Sequence, residues 1–185
     1  MEHSLIIAGF GGQGVMVCGQ LIGYTITETT DANVTFLPTY GAEQRGGTAS
    51  CFVVISDDPI GSPMPAAADC AMILNNPSLE RFQGNVLPGG TIFLNSNVVT
   101  EAVARTDVAV VPVPALDYAL EAGSAKAANL AMVGAFVGYT GLVPPEKVLA
   151  TAKKKLGSKR PELNGINEAA FHKGLALGRG LSSRK

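Results

Sequence analysis

The sequence predicts an α/β domain of three layers, α/β/α, with a mostly parallel or mixed sheet and a helical C-terminal third. Three observations carry this expectation. Short apolar runs bounded by glycine, proline and Asn/Asp turn residues recur through the first two-thirds of the chain. Segments with apolar residues three and four positions apart lie between them. Hydrophobic residues make up 46% of the 185, which is ample material for one core and one domain over residues 1–185.

In chain order, Ser4 to Ala8 is a buried strand ending at Gly9, followed by a helical pattern from about Gln13 to Thr29 on Val15, Cys18, Ile22 and Ile26. Asn33 to Leu37 is a second strand, closed by Pro38. A polar, glycine-rich segment then leads into a third apolar run, Ala49 to Ile55, ended by the turn residues Asp57, Asp58 and Pro59. Cys70 to Leu74 is another strand, after which Asn76-Pro77 supplies an N-cap and a first-turn proline. Thr91 to Leu94 follows the turn Pro88-Gly89-Gly90, and Val108 to Val111 is stopped by Pro112 and Pro114. Lys126 to Thr140 is helical, with Ala127, Ala131, Gly134 and Gly138 spaced for close packing. Pro144-Pro145 opens a helix on Val148, Leu149, Ala152 and Leu156, ended by Gly157, with Lys153, Lys154 and Lys155 facing the negative end of its dipole.

Composition narrows the function. Only 16% of residues are charged, against about 25% in an average soluble domain, and mean hydropathy is +0.25. Either a large partner interface or an Ala- and Gly-rich core would account for this, and the interface is the favoured reading. Net charge is −1, so a nucleic-acid partner is not expected. Cys18, Cys51 and Cys70 have neither disulfide nor zinc or iron–sulfur spacing, which points to a reducing cytoplasm and no metal site. The N-terminus offers no cationic leader, and no apolar stretch is long enough to span a membrane.

Two loops could carry chemistry. Gly9-Phe10-Gly11-Gly12-Gln13-Gly14 is a G-x-G-x-x-G between a strand and a helix. Its glycines permit a tight turn, and the N–H groups opening the helix can hold a phosphate; a bare structural turn is the alternative. A dinucleotide site would need an acidic residue ending the second strand, yet Leu37-Pro38-Thr39-Tyr40 stands there and Asp31 precedes the strand, so an ordinary NAD-dependent dehydrogenase is disfavoured. The second loop, Tyr40-Gly41-Ala42-Glu43-Gln44-Arg45-Gly46-Gly47-Thr48, should open on the same edge of the sheet, with Arg45 free for a planar anion or paired with Glu43. Asn75, Asn76, Ser78, Asn95, Ser96 and Asn97 would follow strand ends there, as crevice lining or ordinary turn residues. His172, one turn from Glu168, reads as a surface or core histidine, and Cys51 and Cys70 read as small hydrophobes. Nothing forms a self-sufficient active site, so no catalytic residue is expected.

Both loops resemble those of the gamma subunit of 2-oxoacid:ferredoxin oxidoreductases, of the 2-oxoglutarate or branched-chain type. The likeness continues through Val53 to Ile60, Asn76 to Leu79 and Lys126 to Leu130. It implies a Rossmann-like cytoplasmic subunit of a hetero-oligomer that decarboxylates a 2-oxoacid to an acyl-CoA, CO2 and reduced ferredoxin. Thiamine diphosphate, magnesium and iron–sulfur clusters would sit on alpha-, beta- and delta-type partners, with coenzyme A as co-substrate. The isolated chain would bind no cofactor, would be inactive alone and could self-associate. By the same resemblance, Gly11, Gly12, Gln13 and Gly14 would make backbone contact with coenzyme A or the wall of the thiamine site, with Gly9 in the same cofactor-binding loop. Tyr40, Glu43, Arg45, Gly46, Gly47 and Thr48 would form the coenzyme A mouth or a subunit contact. A free-standing nucleotide-binding protein and a pure assembly scaffold remain the competing readings.

Overall fold

The computed structural model describes residues 1–41, 47–157 and 160–182. The chain runs through β1 (Glu2–Phe10), α1 (Val15–Thr29), β2 (Asn33–Tyr40), β3 (Thr48–Ser56), β4 (Ala68–Ile73), α2 (Asn76–Phe82), β5 (Val86–Asn95) and β6 (Ala109–Val113). Helices α3 (Ala115–Ala122), α4 (Ala128–Thr140), α5 (Pro145–Lys155) and α6 (Asn164–Ser182) complete it. The strands form one mixed sheet in the order β2-β3-β1-β4-β5-β6.

The third apolar run does not join the parallel set. β3 pairs antiparallel with β1 on one side and with β2 on the other, while β1-β4, β4-β5 and β5-β6 are parallel. The reason is the short connection after Tyr40, which can close a hairpin but cannot hold the crossover a parallel pair needs. β2 consequently points the same way as β1, and both end at one edge of the sheet.

Proline proved a weaker stop than the sequence suggests. Pro38 lies inside β2 opposite Cys51, and Pro112 lies inside β6 opposite Leu94. These are the two edge strands of the sheet, where a missing N–H costs no ladder bond. β5 likewise starts at Val86 and takes in Pro88-Gly89-Gly90. Helix α1 begins at Val15, two residues later than expected, because Gly12 and Gly14 both hold positive φ. Asn75, and not Asn76, caps α2 by accepting from the Ser78 N–H at 2.9 Å. Helix α3 is absent from the sequence reading. Its first-turn amides at Leu116 and Asp117 donate to the side chain of Asn97, a residue some twenty positions upstream, and no local pattern announces such a cap.

Strand alternation divides the core in two. Leu5, Ile7, Cys51, Val53, Met72 and Phe93 pack under α1 and the helical C-terminal third. Ile6, Ala8, Phe52, Ile73, Ile92 and Leu94 face the opposite side, covered by α2 and by Val99, Val103 and Val108. The expected small-residue stripe does pack closely. Helices α4 and α6 run side by side in the same direction, with Gly134 against the Phe171 carbonyl and Gly174 against the Ala131 carbonyl.

Candidate functional site

A cleft of about 500 Å3 opens beyond the carboxyl ends of β1, β4 and β5. It lies where the strand order diverges, with α1 leading from β1 toward β2 while β4 stands on the other flank. That is the position in which open α/β sheets place ligands. Gly12, Gln13, Gly14 and Val17 form one wall, Leu74 and Asn95 the floor, and Lys126 and Asn129 the far wall.

The geometry follows from the glycine loop. Gly14 is the N-cap of α1 with φ 82° and contributes no capping side chain, and no acidic residue stands in the first turn. The amides opening α1 therefore lack both intrahelical acceptors and a neutralising carboxylate. Lys126 is the one charged side chain among the described residues lining the cleft, and it has no ion-pair partner among them. A helix N-terminus and a lysine lining one space are elements from which an anion site can be built. No carboxylate, histidine or cysteine lines the cleft among the described residues.

The Gln13 side chain is engaged within the protein. Its Oε1 accepts from the Phe10 N–H at 2.7 Å and from Asn75 Nδ2 at 3.2 Å, while its Nε2 donates to the Leu74 carbonyl at 3.0 Å. With its side chain occupied, Gln13 braces the loop against β4. Gly9 lies under this brace, where a Cβ would stand 2.7 Å from Gln13 Oε1. A Cβ on Gly14 would meet Asn129, whereas Gly12 faces open space.

The two loops open on one edge of the sheet, as the sequence suggested, and they also touch there. Gly11 N–H donates to the Gly47 carbonyl at 2.9 Å, and Gly41 N–H donates to the Thr48 carbonyl at 2.7 Å. Tyr40 is 69% exposed at the end of edge strand β2. Glu43, Arg45 and Gly46 lie outside the described residues. Asp31 sits before β2, at the far edge of the sheet from the cleft. Most edge asparagines serve structure: Asn75 caps α2, Asn76 accepts from Thr100 N–H, and Asn97 caps α3. Asn95 alone of these lines the cleft.

Cys18 and Cys51 are buried, and the loss of hydration pushes the Cys18 thiol far up and the Cys51 thiol up to about 12. They are neutral packing groups. Among the described residues no three His, Cys, Asp or Glu side chains gather as metal ligands, and no helix is long and apolar enough to cross a membrane.

The sequence matches the pyruvate ferredoxin/flavodoxin oxidoreductase family over residues 4–177. The chain belongs to that family. Subunit VorA of the ketoisovalerate oxidoreductase of Methanothermobacter marburgensis is a 41% identical relative over 143 residues, 76% of this chain and 30% of VorA. Subunit KorC of the 2-oxoglutarate synthase of the same organism is 30% identical over 183 residues, 96% of this chain and 97% of KorC. The chain thus spans under a third of one relative and nearly all of the other. The gamma subunit of a keto/oxoacid ferredoxin oxidoreductase from Geobacter sulfurreducens shares the fold, with TM-score 0.85, 21% identity and coverage of 97% and 98% of the two chains. So does the 2-oxoglutarate:ferredoxin oxidoreductase of Magnetococcus marinus, solved with 2-oxoglutarate, coenzyme A and succinyl-CoA bound, with TM-score 0.87, 23% identity and coverage of 97% of this chain and 31% of that one.

Within this oxidoreductase family member, the sequence did not single out Lys126 and Asn129, which line the cleft. They belong to the Lys126 to Leu130 stretch that carries part of the resemblance. A surface lysine opening a helix has no local mark of function, and only the packing of α4 beside α1 brings it to the glycine loop.

Proposed function

We propose that this chain is the gamma-type subunit of a hetero-oligomeric 2-oxoacid:ferredoxin oxidoreductase and that its cleft holds a phosphate of coenzyme A. The observation that carries this reading is the meeting of the uncapped α1 N-terminus with Lys126 at the sheet's switch point. The coenzyme A in the Magnetococcus marinus relative supports the ligand. The cleft supplies no nucleophile or base among its described lining residues, which fits a subunit that positions the acyl acceptor. Thiamine diphosphate, magnesium and iron–sulfur clusters belong to the alpha-, beta- and delta-type partners in this reading. The 2-oxoacid is 2-oxoglutarate or a branched-chain acid, in keeping with the KorC and VorA relatives. Tyr40, Gly47 and Thr48 form the mouth or a partner contact, with Glu43, Arg45 and Gly46 on the same loop. The protein acts in the cytoplasm.

The test is acyl-CoA formation by the assembly reconstituted from all its subunits. Losing one charge-assisted contact costs about 1.5–3 kcal/mol, so Lys126→Ala should raise the KM for coenzyme A about 10- to 100-fold with the 2-oxoacid KM unchanged. An unaltered coenzyme A KM would contradict the reading. The isolated chain should form no acyl-CoA.

A further inference from the structure

One edge of the sheet lies open along β2. Folded chains blunt long edges with charges, short strands or proline, because unpaired N–H and C=O groups invite another strand. β2 runs for eight residues without a charged side chain, and Pro38 is its one guard. Val34, Thr35, Phe36 and Leu37 are half-buried along it. The direction of its free backbone groups follows from the ladder with β3. Gly41 N–H donates to the Thr48 carbonyl at 2.7 Å, in step with the register that sets Tyr40 opposite Ala49. These groups alternate in direction along an antiparallel strand. Those of Val34, Phe36 and Tyr40 therefore point away from β3, and Pro38 adds a carbonyl alone. Between Val34 and Phe36 stands Thr35, whose Oγ1 is shut off from solvent with no hydrogen-bond partner among the described residues. Such an unmade bond is a cost to the fold, and a second strand at this edge can remove it.

We infer that β2 pairs antiparallel with β2 of a second copy of this chain, about a two-fold axis at Thr35. In that register Val34 meets Phe36 of the other copy, and their outward backbone groups exchange hydrogen bonds as directly opposed residues do. Thr35 meets Thr35 at a pair without backbone bonds, where Cα atoms approach to about 4.5 Å. Threonines so placed bond through their hydroxyls across the strands, and a turn about χ1 presents the stranded Oγ1 to its twin. Pro38 falls opposite Ala32, just before the strand begins, so its missing N–H lies at the end of the pairing. Asp31 falls opposite Thr39, so no like charges meet. A second copy is the occupant these features select: its edge brings no charge, and its threonine supplies the absent partner. The contact is isologous and closes with two chains, joining two six-stranded sheets into one. No residue of β2 lines the glycine-loop cleft, so the pairing does not rest on the coenzyme A reading.

Sedimentation equilibrium of the full chain tests the pairing. Wild type should sediment at twice the 19.0 kDa of one chain. Thr35→Lys sets two like charges on the axis and should sediment as a single chain, with its circular dichroism unchanged. Should that variant misfold, a cross-link decides instead. Thr35→Cys treated with glutathione disulfide should form a disulfide between two chains, the two thiols giving up two protons and two electrons as the reagent becomes two glutathione thiols. Thr39→Cys lies on the same strand but far from its twin in this register, and like wild type it should give no linked dimer. A monomeric wild type overturns the inference. So does an undiminished dimer in folded Thr35→Lys, or cross-linking of Thr39→Cys as readily as of Thr35→Cys.

Discussion

Gln13 Nε2 donates to the Leu74 carbonyl at 3.0 Å, tying the loop after β1 to the end of β4. This bond spans the point where the sheet changes direction of winding. The same side chain accepts the Phe10 N–H, so the turn that frees the α1 amides is held from within. In the proposed coenzyme A reading, the loop therefore meets the ligand with its backbone.

Gln13→Ala should loosen that turn. It leaves the exposed Phe10 N–H to water and the carbonyl of buried Leu74 without this partner, and an unsatisfied buried group costs about 1–3 kcal/mol. Urea denaturation should register a loss of this size, and the coenzyme A KM of the assembly should rise without a change in the 2-oxoacid KM. Unchanged stability would show the brace to be dispensable.

Substitutions at Gly12 and Gly14 should differ although both residues have positive φ. Gly12→Ala meets only the left-handed backbone cost of roughly 1–2 kcal/mol, because no atom lies within 4 Å of the added methyl. Gly14→Ala adds a collision with Asn129, where the new Cβ would stand 2.9 Å from the Asn129 Cβ. The melting temperature should fall further for Gly14→Ala, and the reverse order would contradict this packing.

Gly174→Ala should be the most damaging small change in the helical layer. Its methyl would overlap the Ala131 carbonyl on α4, and backbone cannot turn aside as a side chain can. Overpacking typically costs about 1–3 kcal/mol, and contact with backbone places this variant at or above the upper end. Gly165→Ala on the same helix meets nothing within 4 Å and should be neutral or stabilising by up to about 1 kcal/mol. Paired urea titrations would measure the contrast.

Acid should erase the contribution of Asp107. Arg105 bonds to both of its oxygens and also donates to the Val86 carbonyl at 2.6 Å, and this pairing holds the carboxyl below its ordinary value. A depressed native value means the stabilisation is complete above the unfolded value of about 3.9 and fades as pH falls through the native value below it. Asp107→Asn should thus melt lower than wild type at pH 7, with the gap closing toward pH 3. A constant gap would assign the effect to packing.

The Cys18 and Cys51 thiols should resist alkylation in the folded chain at pH 8, since burial keeps them protonated. Mass spectrometry after iodoacetamide treatment should find both unmodified until denaturant is added. Rapid native labelling of either would mean that the α1–β3 packing opens readily.

Much of the architecture could be read from local pattern. The apolar runs located all six strands, and the spacing of Val148, Ala152 and Leu156 marked α5. Ala131, Gly134 and Gly138 announced a close helix neighbour without naming it. The boundaries went astray at Pro38 and Pro112, where the cost of proline depends on which strand lies at an edge. The three lysines read as dipole partners do lie in the last turn of α5, and there Lys153 also reaches Glu168, Lys154 reaches Glu28, and Lys155 lies over Tyr24 and 3.9 Å from Glu28.

The amino-acid order alone determined the α/β class, the glycine turn opening α1 and the lack of an acidic residue at the end of β2. Those features depend on neighbours a few positions apart, through backbone sterics and the periods of helix and strand. Tertiary structure alone decided that β3 runs against β1, that the Gln13 side chain is spent on Leu74 and Asn75, and that Lys126 lines the same cleft as the α1 N-terminus. Each of these joins residues distant in the chain, and burial and hydrogen-bond partners at such separations come into being only when the sheet and its helices pack.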